Sequence, residues 1–337
     1  MQGQAEKCDI SESAPGVPDP SSAPLLIVMN AGSGHSDAGA TREAIEQVLK
    51  EAGRSYRVFL VEDARQIDEV ARRTVEEAKA CGGAVVVAGG DGTINAVANA
   101  VLGSGCAFGV IPAGTFNYFG RTHGIPEDVT EATRVLVNGR VQPVQVGLVN
   151  DRLFLVNASL GLYPQLLEDR EAYKQQYGRS RLVAFWSGLV TVLLQHRQLH
   201  ITLERHGQTT TMRTPTLFVG NNKLQMEQIG MPLSEALEEG QLAAIAPRPV
   251  GTLAMLWLVI RGALGRLGEA DNVVRFGFRR LTVKPRKRHR SHRFKVATDG
   301  EISWMSAPLE FRVSPEPLYL LKPDLAPGAE DTASSVA

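Results

Sequence analysis

The chain has 337 residues, of which 43% are hydrophobic and 21% are charged, and its 36 lysines and arginines balance 36 aspartates and glutamates. This composition is that of an ordinary globular protein and excludes a disordered, collagenous or coiled-coil chain. Because the net charge is zero, any attraction to a membrane or a nucleic acid has to be local. At roughly 150 residues per domain the length predicts two domains.

Both ends of the chain are predicted to be disordered tails, residues 1–23 and 326–337. The first tail is rich in Ser, Pro, Gly and acidic residues and lacks the pattern of a secretory signal peptide. The longest apolar stretch, 253–260, is much shorter than the roughly 20 residues that span a bilayer. The three cysteines have spacings that suit neither disulfides nor a zinc cluster, which favours a reducing, cytoplasmic location.

The first ordered region is predicted to alternate strands and helices. Apolar runs predict buried strands, and apolar residues at a helical period predict the helices between them. Strands are predicted at 24–29, 56–61 and 84–88, and helices at 44–52, 67–78, 94–102 and 129–137. Because such units form right-handed crossovers, residues 24–143 are predicted to be an α/β domain with a doubly wound parallel sheet.

The pattern changes at about residue 144 to one that is rich in antiparallel strands. A hairpin is predicted from 144–149 and 153–156, with a polar turn at Asn150 and Asp151. Further extended segments are predicted at 200–203, 214–219, 242–245, 281–284, 294–297 and 309–313, and helices near 182–194 and 253–267. Residues 144–325 are therefore expected to form a β-rich, sandwich-like second domain, with a cleft between the two domains.

Three glycine-containing loops in the first domain are candidates for phosphate binding. They are Asn30-Ala-Gly-Ser-Gly34, Gly89-Gly-Asp-Gly-Thr93 and Pro112-Ala-Gly-Thr-Phe-Asn117. Each follows an apolar segment, and the carboxyl ends of strands in an open α/β sheet are where ligands bind. Glycine lets backbone N–H groups approach a phosphate closely. Any one of these loops is equally compatible with a simple tight turn, but three at successive strand ends favour a binding site.

Two common nucleotide motifs are absent. The first loop lacks the third glycine of the dinucleotide fingerprint, and no Gly-Lys dipeptide is present for a Walker A loop. An aspartate within a phosphate-binding loop is unfavourable unless a cation neutralises it. Asp91 therefore points to Mg²⁺ that arrives with a nucleotide.

The ordered series of motifs resembles the diacylglycerol kinase catalytic domain family, which includes bacterial lipid kinases and sphingosine kinases. Besides the three loops, the matching motifs are Asn157-x-Ser-x-Gly161, Gly220-Asn-Asn222, the acidic turn at Glu238 and Glu239, and Asp299-Gly-Glu301. The resemblance extends over nearly the whole chain. Gly-Gly-Asp-Gly-Thr by itself is shared with NAD kinases and specifies no more than a kinase superfamily, whereas the series is much more specific.

The resemblance implies an ATP- and Mg²⁺-dependent enzyme that phosphorylates the hydroxyl group of a lipid in the cleft between the domains. It implies that Asp91 and Glu301 are catalytic or metal-binding residues, with the choice between these roles left open. The implied nucleotide-binding residues are Asn30, Gly34, Gly89, Gly90, Gly92, Thr93, Gly114, Thr115 and Asn117. Two alternatives remain open, an inactive homologue that binds nucleotide or lipid and an NAD kinase-like enzyme.

Two positions depart from the family pattern. The family commonly has an aspartate after the asparagine of the third loop, where this chain has Tyr118, and another before the glycine of the strand that enters the second domain, where it has Gln145. These neutral residues are compatible with a different acceptor, a different number of metal ions, or loss of catalysis. At the acidic turn, where some relatives hold a structural cation, Glu238 and Glu239 are also compatible with a solvated turn.

A basic segment is predicted to dock the protein on an anionic membrane surface. Residues 279–295 contain nine lysines and arginines and no acidic residue. The predicted docking residues are Arg286, Lys287, Arg288 and Arg290. Near an anionic leaflet each such charge contributes about 1 kcal/mol. A solvated hairpin tip is an equal alternative, and nucleic-acid binding is disfavoured because no aromatic residues are interleaved with the charges. The expected partners are thus a lipid substrate and a membrane surface, and the sequence leaves the oligomeric state open.

Overall fold

The computed structural model describes most of the two predicted domains. The described residues are 23–32, 38–161, 198–205, 207–228, 230, 234–249, 251, 257–258, 261, 266, 270–285 and 293–324. Within them the strands form three sheets of six strands each.

The first sheet is mainly parallel. Its strands are β1 (Leu25–Asn30), β2 (Tyr56–Val61), β3 (Ala84–Gly89), β4 (Phe108–Pro112), β5 (Arg140–Val144) and β18 (Leu318–Lys322). They lie in the order β2-β1-β3-β4-β18-β5, and β5 alone among them runs antiparallel to its neighbour. Strand β18 comes from the end of the described chain, so the first sheet is built from two separate segments of the sequence.

Helices cover both faces of this sheet. They are α1 (Ala38–Glu51), α2 (Ile67–Cys81), α3 (Asp91–Val101), the short α4 (Tyr118–Thr122) and α5 (Val129–Asn138), with a 3₁₀ turn at Ala64–Gln66. Helix α1 packs against α5, and α2 packs against α3. Gly53 and Gly82 follow α1 and α2 with φ of +63°, a conformation that glycine adopts without strain. The predicted doubly wound α/β domain is confirmed.

The second and third sheets are antiparallel. The second has the order β10-β9-β14-β17-β6-β7 and the third β13-β12-β11-β8-β15-β16. The second contains β6 (Gly147–Val149), β7 (Arg152–Phe154), β9 (Leu199–Arg205), β10 (Gln208–Thr214), β14 (Arg280–Pro285) and β17 (Leu309–Val313). The third contains β8 (Asn157–Gly161), β11 (Thr216–Gly220), β12 (Leu242–Pro247), β13 (Val273–Phe278), β15 (Arg293–Thr298) and β16 (Glu301–Ser306), and two short helices, α6 (Lys223–Gln228) and α7 (Ser234–Glu238), lie between β11 and β12.

One hydrophobic core lies between the two antiparallel sheets. Phe154 and Phe311 from the second sheet and Leu160, Val219 and Phe278 from the third are fully buried in a single cluster. Two sheets that bury their inner faces against each other form a sandwich. The predicted β-rich, sandwich-like second domain is therefore confirmed. A separate core surrounds the parallel sheet.

The predicted strand over 153–156 is wrong in one respect. Strand β7 ends at Phe154, and β8 begins at Asn157 in the other antiparallel sheet. Leu155 and Val156 carry the chain from one sheet to the other, and both are buried. An unbroken apolar run cannot reveal a change of sheet, because the residues on both sides of the crossing are equally buried.

The remaining helix predictions in the second domain fall largely outside the described residues. This holds for all of 182–194 and for most of 253–267, of which residues 257, 258, 261 and 266 are described. In the part of the chain that the structure describes, no helix has the length and apolar character needed to cross a bilayer.

Candidate active site

The three glycine-containing loops begin at one edge of the parallel sheet. Strands β1, β3 and β4 are adjacent and parallel, so Asn30, Gly89 and Pro112 end their strands side by side. Ala113 N donates to Gly89 O at 2.9 Å, which continues the β3–β4 pairing into the loops. This is the edge at which open α/β sheets bind ligands. Of the predicted nucleotide-binding residues, Gly34 lies outside the described residues.

Side chains of the first and second loops are directly bonded. Asn30 Nδ2 donates to Thr93 Oγ1 at 2.9 Å, and Asn30 Oδ1 accepts from Gly32 N at 3.0 Å. Thr93 is buried, and a Cβ atom added at Gly89 would lie 2.8 Å from its Cβ. Asn30 and Thr93 therefore fix the spacing of the two loops.

The second and third loops touch through glycines. A Cβ atom at Gly114 would lie 2.8 Å from Gly90 Cα, closer than real side chains come. Asn117, with φ of +50°, accepts from Gly114 N at 2.9 Å through Oδ1 and donates to Gly114 O at 3.1 Å through Nδ2. Its buried side chain thus shapes the third loop from within, whereas Thr115 is exposed at the rim.

Asp91 is the first residue of α3 and faces the start of α4. Its carboxylate lies against the backbone N–H groups of Asn117, Tyr118 and Phe119, and Phe119 N is 3.4 Å from Oδ1. Burial raises the pKa of Asp91, and these three N–H groups oppose the rise. The carboxylate therefore sits at the junction of the second and third loops, beside the N–H groups of the first turn of α3, which have no partner within the helix.

Asp299 joins the third sheet to the first domain. Its carboxylate accepts from the backbone N–H groups of Leu155, Val156 and Asn157 at 2.7 to 2.9 Å and from Asn95 Nδ2 at 2.6 Å. Burial raises its pKa to about 6, and the four donors oppose that rise. Because Asn95 belongs to α3, the hairpin between β15 and β16 is fixed to the helix that begins with Asp91.

Glu301 is brought to the second glycine loop by that hairpin. A Cβ atom at Gly92 would lie 3.7 Å from Glu301 Oε1. Glu301 Oε2 accepts from Arg152 in an ion pair of 2.7 Å, and about half of the Glu301 side chain is exposed. Both residues line a polar cleft of about 250 Å³ between the two domains. Its other lining residues are Asp68, Asn95, Ala96, Asn99 and Asp151.

Gln145, at the second departure from the family pattern, is part of a polar network. Its Nε2 donates to Asn221 Oδ1 at 2.8 Å and to Gln241 O at 3.1 Å. Asn221 Nδ2 donates in return to Gln145 O at 3.2 Å and to Leu155 O at 3.0 Å. Gln145 therefore links the entry into the second domain to residues next to β11 and β12, and an ionised carboxylate could make neither of these donor contacts.

Tyr118, at the first departure, forms an aromatic pair with Phe116 at the rim of the third loop. Its ring is stacked on that of Phe116, with centroids 5.7 Å apart and planes 8° from parallel. Phe116 is exposed, and Tyr118 O accepts from Asn222 Nδ2 at 3.2 Å. An apolar pair thus stands where the family commonly has a carboxylate.

The acidic turn is held by neighbouring side chains. Glu238 pairs with Lys223 at 2.6 Å, and Glu239 accepts from Gln241 Nε2 at 2.9 Å. Both glutamates are exposed. Within the described ranges, no group of three or more His, Cys, Asp or Glu side chains is arranged to hold a metal ion.

The geometry of the three loops fits a magnesium-bound polyphosphate. Helix α3 presents the N–H groups of its first turn to the crevice, and helix N-termini bind phosphate. Mg²⁺ in kinases is held by one or two carboxylates together with phosphate oxygens rather than by a complete protein cage. Asp91 precedes Gly92 in the chain, and Glu301 Oε1 lies 3.7 Å from a Cβ atom added at Gly92, so both carboxylates are candidates for this role.

Comparisons with known proteins give similarities for the first domain. Residues 24–149 match the family model described as the diacylglycerol kinase catalytic domain. This part of the chain is therefore similar to the catalytic domain of that family. A probable lipid kinase YegS-like from Klebsiella pneumoniae is 34% identical over 142 residues, which are 40% of this chain and 44% of that protein. A diacylglycerol kinase from Bacillus subtilis is 43% identical over 88 residues, 25% of this chain and 29% of that protein. The matches thus span less than half the length of these curated relatives.

Solved structures share the fold of both domains. A putative diacylglycerol kinase from Bacillus anthracis superposes with a TM-score of 0.68 and 21% identity, covering 90% of this chain and 98% of that one. A diacylglycerol kinase structure from the same organism gives 0.65 and 18%, covering 90% and 97%. The diacylglycerol kinase-like fold therefore extends beyond the sequence match into the antiparallel sheets.

Sequence reasoning missed several residues that build the site. Asn95 and Asn99, one turn apart on α3, both reach β7: Asn95 Nδ2 lies 3.3 Å from Leu153 O, and Asn99 Oδ1 accepts from Leu153 N at 3.3 Å. The spacing of two polar residues on a largely apolar helix was a signal for such a contact. Arg152 gave no comparable signal, because its partner lies in a strand that the pattern did not predict. The proposed docking residues Arg286, Lys287, Arg288 and Arg290 lie outside the described residues.

Proposed function

We propose that the chain is an ATP- and Mg²⁺-dependent lipid kinase that transfers the γ-phosphoryl group to a lipid hydroxyl. One observation carries this proposal. Glu301, from the end of the second domain, lies beside Gly92 of the Gly-Gly-Asp-Gly-Thr loop. A carboxylate of one domain thus meets the phosphate-binding loop of the other at the mouth of an interdomain cleft. The family of the first domain and the lipid kinase relatives support the same conclusion.

We assign nucleotide binding to the first domain. The first turn of α3 and the loops joined by Asn30 and Thr93 would hold the phosphates with backbone N–H groups. Asp91 would bind the metal ion that accompanies them. Its raised pKa fits this role, because a carboxylate that is costly to keep charged gains most from a bound cation.

We assign binding of the acceptor lipid to the second domain. Glu301 is half exposed and faces the cleft, so it can contact a hydroxyl group that approaches from outside. A carboxylate in this position orients the acceptor and receives its proton. Bound Mg²⁺ would neutralise charge on the transferring group, while Arg152 and Asp299 fix where Glu301 stands.

Two other functions make different use of the same site. An inactive homologue would bind nucleotide without transfer, a reading favoured by the neutral Tyr118 and Gln145. An NAD kinase-like enzyme would share the second loop but phosphorylate a soluble nucleotide. The match of the second domain to diacylglycerol kinase structures favours the lipid kinase over the NAD kinase.

The test is a transfer assay with purified protein, labelled ATP and Mg²⁺. The acceptors are detergent-dispersed diacylglycerol, phosphatidylglycerol, ceramide and a sphingoid base, with NAD as the soluble control. We expect label in at least one lipid, dependent on Mg²⁺ and absent from NAD. Label in NAD alone would establish the soluble-nucleotide enzyme.

Calorimetry with ATP and Mg²⁺ separates the remaining outcomes. Binding heat without any labelled lipid would identify an inactive homologue. The absence of both binding heat and labelled lipid would refute the nucleotide site itself. It would also refute the roles given to Asp91 and Glu301.

A further inference from the structure

The outer face of the third sheet carries an exposed tryptophan between two cations. Trp304 on β16 is 56% exposed. Lys295 Nζ lies 5.2 Å, and the Arg293 guanidinium carbon 6.0 Å, from the centre of its ring. Lys295 is the register partner of Trp304 on the neighbouring strand. We call these three residues the Trp304 patch.

The patch is directed away from the core. Side chains alternate across a strand, and the residues between those of the patch, Phe294 and Val296, are buried in the core of the sandwich. Trp304, Lys295 and Arg293 therefore share the opposite face. Strand β16 is the last strand of its sheet, so the patch lies at an edge of that sheet, where Trp304 is exposed.

The sequence that leads into the patch is basic although the chain as a whole is neutral. Residues 279–295, which end with the first three residues of β15, contain nine lysines and arginines and no acidic residue. An indole ring has an apolar body and a polar N–H group, and tryptophan is enriched where hydrocarbon meets lipid headgroups. Basic side chains next to such a ring match the anionic headgroups at the same depth.

We infer that the Trp304 patch docks the protein on an anionic phospholipid bilayer. The inference rests on the proposed function, because a lipid acceptor requires the enzyme to reach a membrane, and it adds the surface and the lipid charge. Trp304 enters the headgroup region, and Lys295 and Arg293 pair with lipid phosphates. A nucleic acid is the less suitable partner, because a single exposed ring offers one stacking position rather than the series that binds successive bases.

The first experiment measures partition into vesicles of phosphatidylcholine and phosphatidylglycerol in equal parts, with pure phosphatidylcholine for comparison. The double variant Lys295→Gln with Arg293→Gln should bind the anionic vesicles about 25-fold more weakly, since each charge contributes about 1 kcal/mol, or about fivefold. Its matched control, Arg57→Gln with Lys79→Gln, removes two exposed cations from the first domain and should bind as the unmodified chain does.

The second experiment follows the tryptophan itself. The chain has three tryptophans, so the difference between the spectra of the unmodified chain and of Trp304→Phe isolates the emission of Trp304. This emission should shift to the blue when anionic vesicles are added and should be quenched by lipids with brominated tails. Trp304→Ser should weaken binding, whereas Leu60→Ser, which removes an exposed apolar side chain from the first domain, should not.

The outcomes separate this inference from the proposed function. All variants are also assayed on a short-chain form, soluble as a monomer, of whichever lipid the transfer assay labels, and the Trp304 patch variants should retain full activity on it. If the unmodified chain labels none of the four lipids, the proposed function fails, whereas the vesicle measurements still test the Trp304 patch. If Trp304→Ser and the double variant bind vesicles normally, the patch is not the docking surface. The inference would also be overturned if a single-stranded oligonucleotide bound the Trp304 patch and thereby prevented vesicle binding.

Discussion

Asn95 Nδ2 and Asp299 Oδ2 are 2.6 Å apart, across 204 positions of the sequence. Asn95 lies one turn after Asp91 on α3, and Asp299 lies two residues before Glu301. This bond therefore sets the position of one candidate catalytic carboxylate relative to the other. Glu301 lies beside Gly92 because a hairpin of the second domain is fixed to a helix of the first.

Asp299→Asn should weaken this connection. The new amide group places a donor where the carboxylate accepts from three backbone N–H groups. A buried group left without a partner costs about 1–3 kcal/mol, so we expect the free energy of unfolding to fall by about 2 kcal/mol and transfer to slow as Glu301 shifts. Denaturant unfolding and initial rates measure the two effects. Asp151→Asn, a change at a fully exposed carboxylate, is the control for stability, and equal stability of both variants would refute the role of Asp299.

Asp91→Asn and Glu301→Gln should abolish transfer without unfolding the protein. Burial already disfavours the charge on Asp91, and Glu301 is half exposed in a surface ion pair, so neither neutral residue loses much stability. We expect losses of at least about 100-fold in kcat, the scale of general acid–base catalysis, with melting temperatures close to that of the unmodified chain. Asp271→Asn, at an exposed position, should keep full activity. Full activity of Asp91→Asn would refute the assignment of Asp91 as a catalytic or metal-binding residue.

Arg152→Gln tests a positioning role for the ion pair with Glu301. Exposed pairs of this kind contribute about 0–1 kcal/mol to stability, so the melting curve should change little. We expect kcat to fall because Glu301 is no longer held beside Gly92, while the KM for ATP stays constant. Arg152→Lys should restore part of the rate, since a lysine can reach the same carboxylate. A variant with unchanged kcat would show that Glu301 needs no such partner.

Gln145→Asp should destabilise the chain even though it restores the common family residue. Aspartate cannot donate to Asn221 Oδ1 or to Gln241 O, and the loss of such contacts by a half-buried group costs about 1–3 kcal/mol. Tyr118→Asp loses an exposed stacking contact and should cost less than about 1 kcal/mol. Thermal unfolding measures both changes. Transfer that appears only when both changes are combined would show that the natural chain is not a kinase.

His123→Gln should reduce the acid sensitivity of folding. Burial, together with the charge of Lys322, lowers the pKa of His123 to about 3. Below its ordinary pKa of about 6.5 the unfolded chain takes up a proton that the folded chain refuses. Stability contributed by this residue is therefore present above pH 6.5 and is lost as the pH falls from there towards 3. Unfolding measured across this range should show a shallower loss in the variant, and parallel curves would contradict the assignment.

Much of the first domain follows from its sequence. The apolar runs of β1 and β3 and the stripes of α2 and α3 appear close to their predicted bounds, because a buried strand and an amphipathic helix each need a local apolar pattern. The glycine loops were recognisable for the same reason, since a tight turn at a strand end restricts which residues fit there. In the second domain β10 was missed because its sequence, Gln-Thr-Thr-Thr-Met-Arg-Thr, is mostly exposed and carries no apolar alternation.

The sequence by itself determined the α/β class, the three loops and the candidacy of Asp91, all of which depend on residues that are neighbours in the chain. The candidacy of Glu301 came from the resemblance of the ordered motifs to a known family. The tertiary structure alone decided that β18 joins the first sheet, that the chain changes sheets at Leu155, and that Arg152 pairs with Glu301. These features depend on pairings between distant segments. Such pairings are selected by the burial of both partners together, so neither segment carries the information on its own.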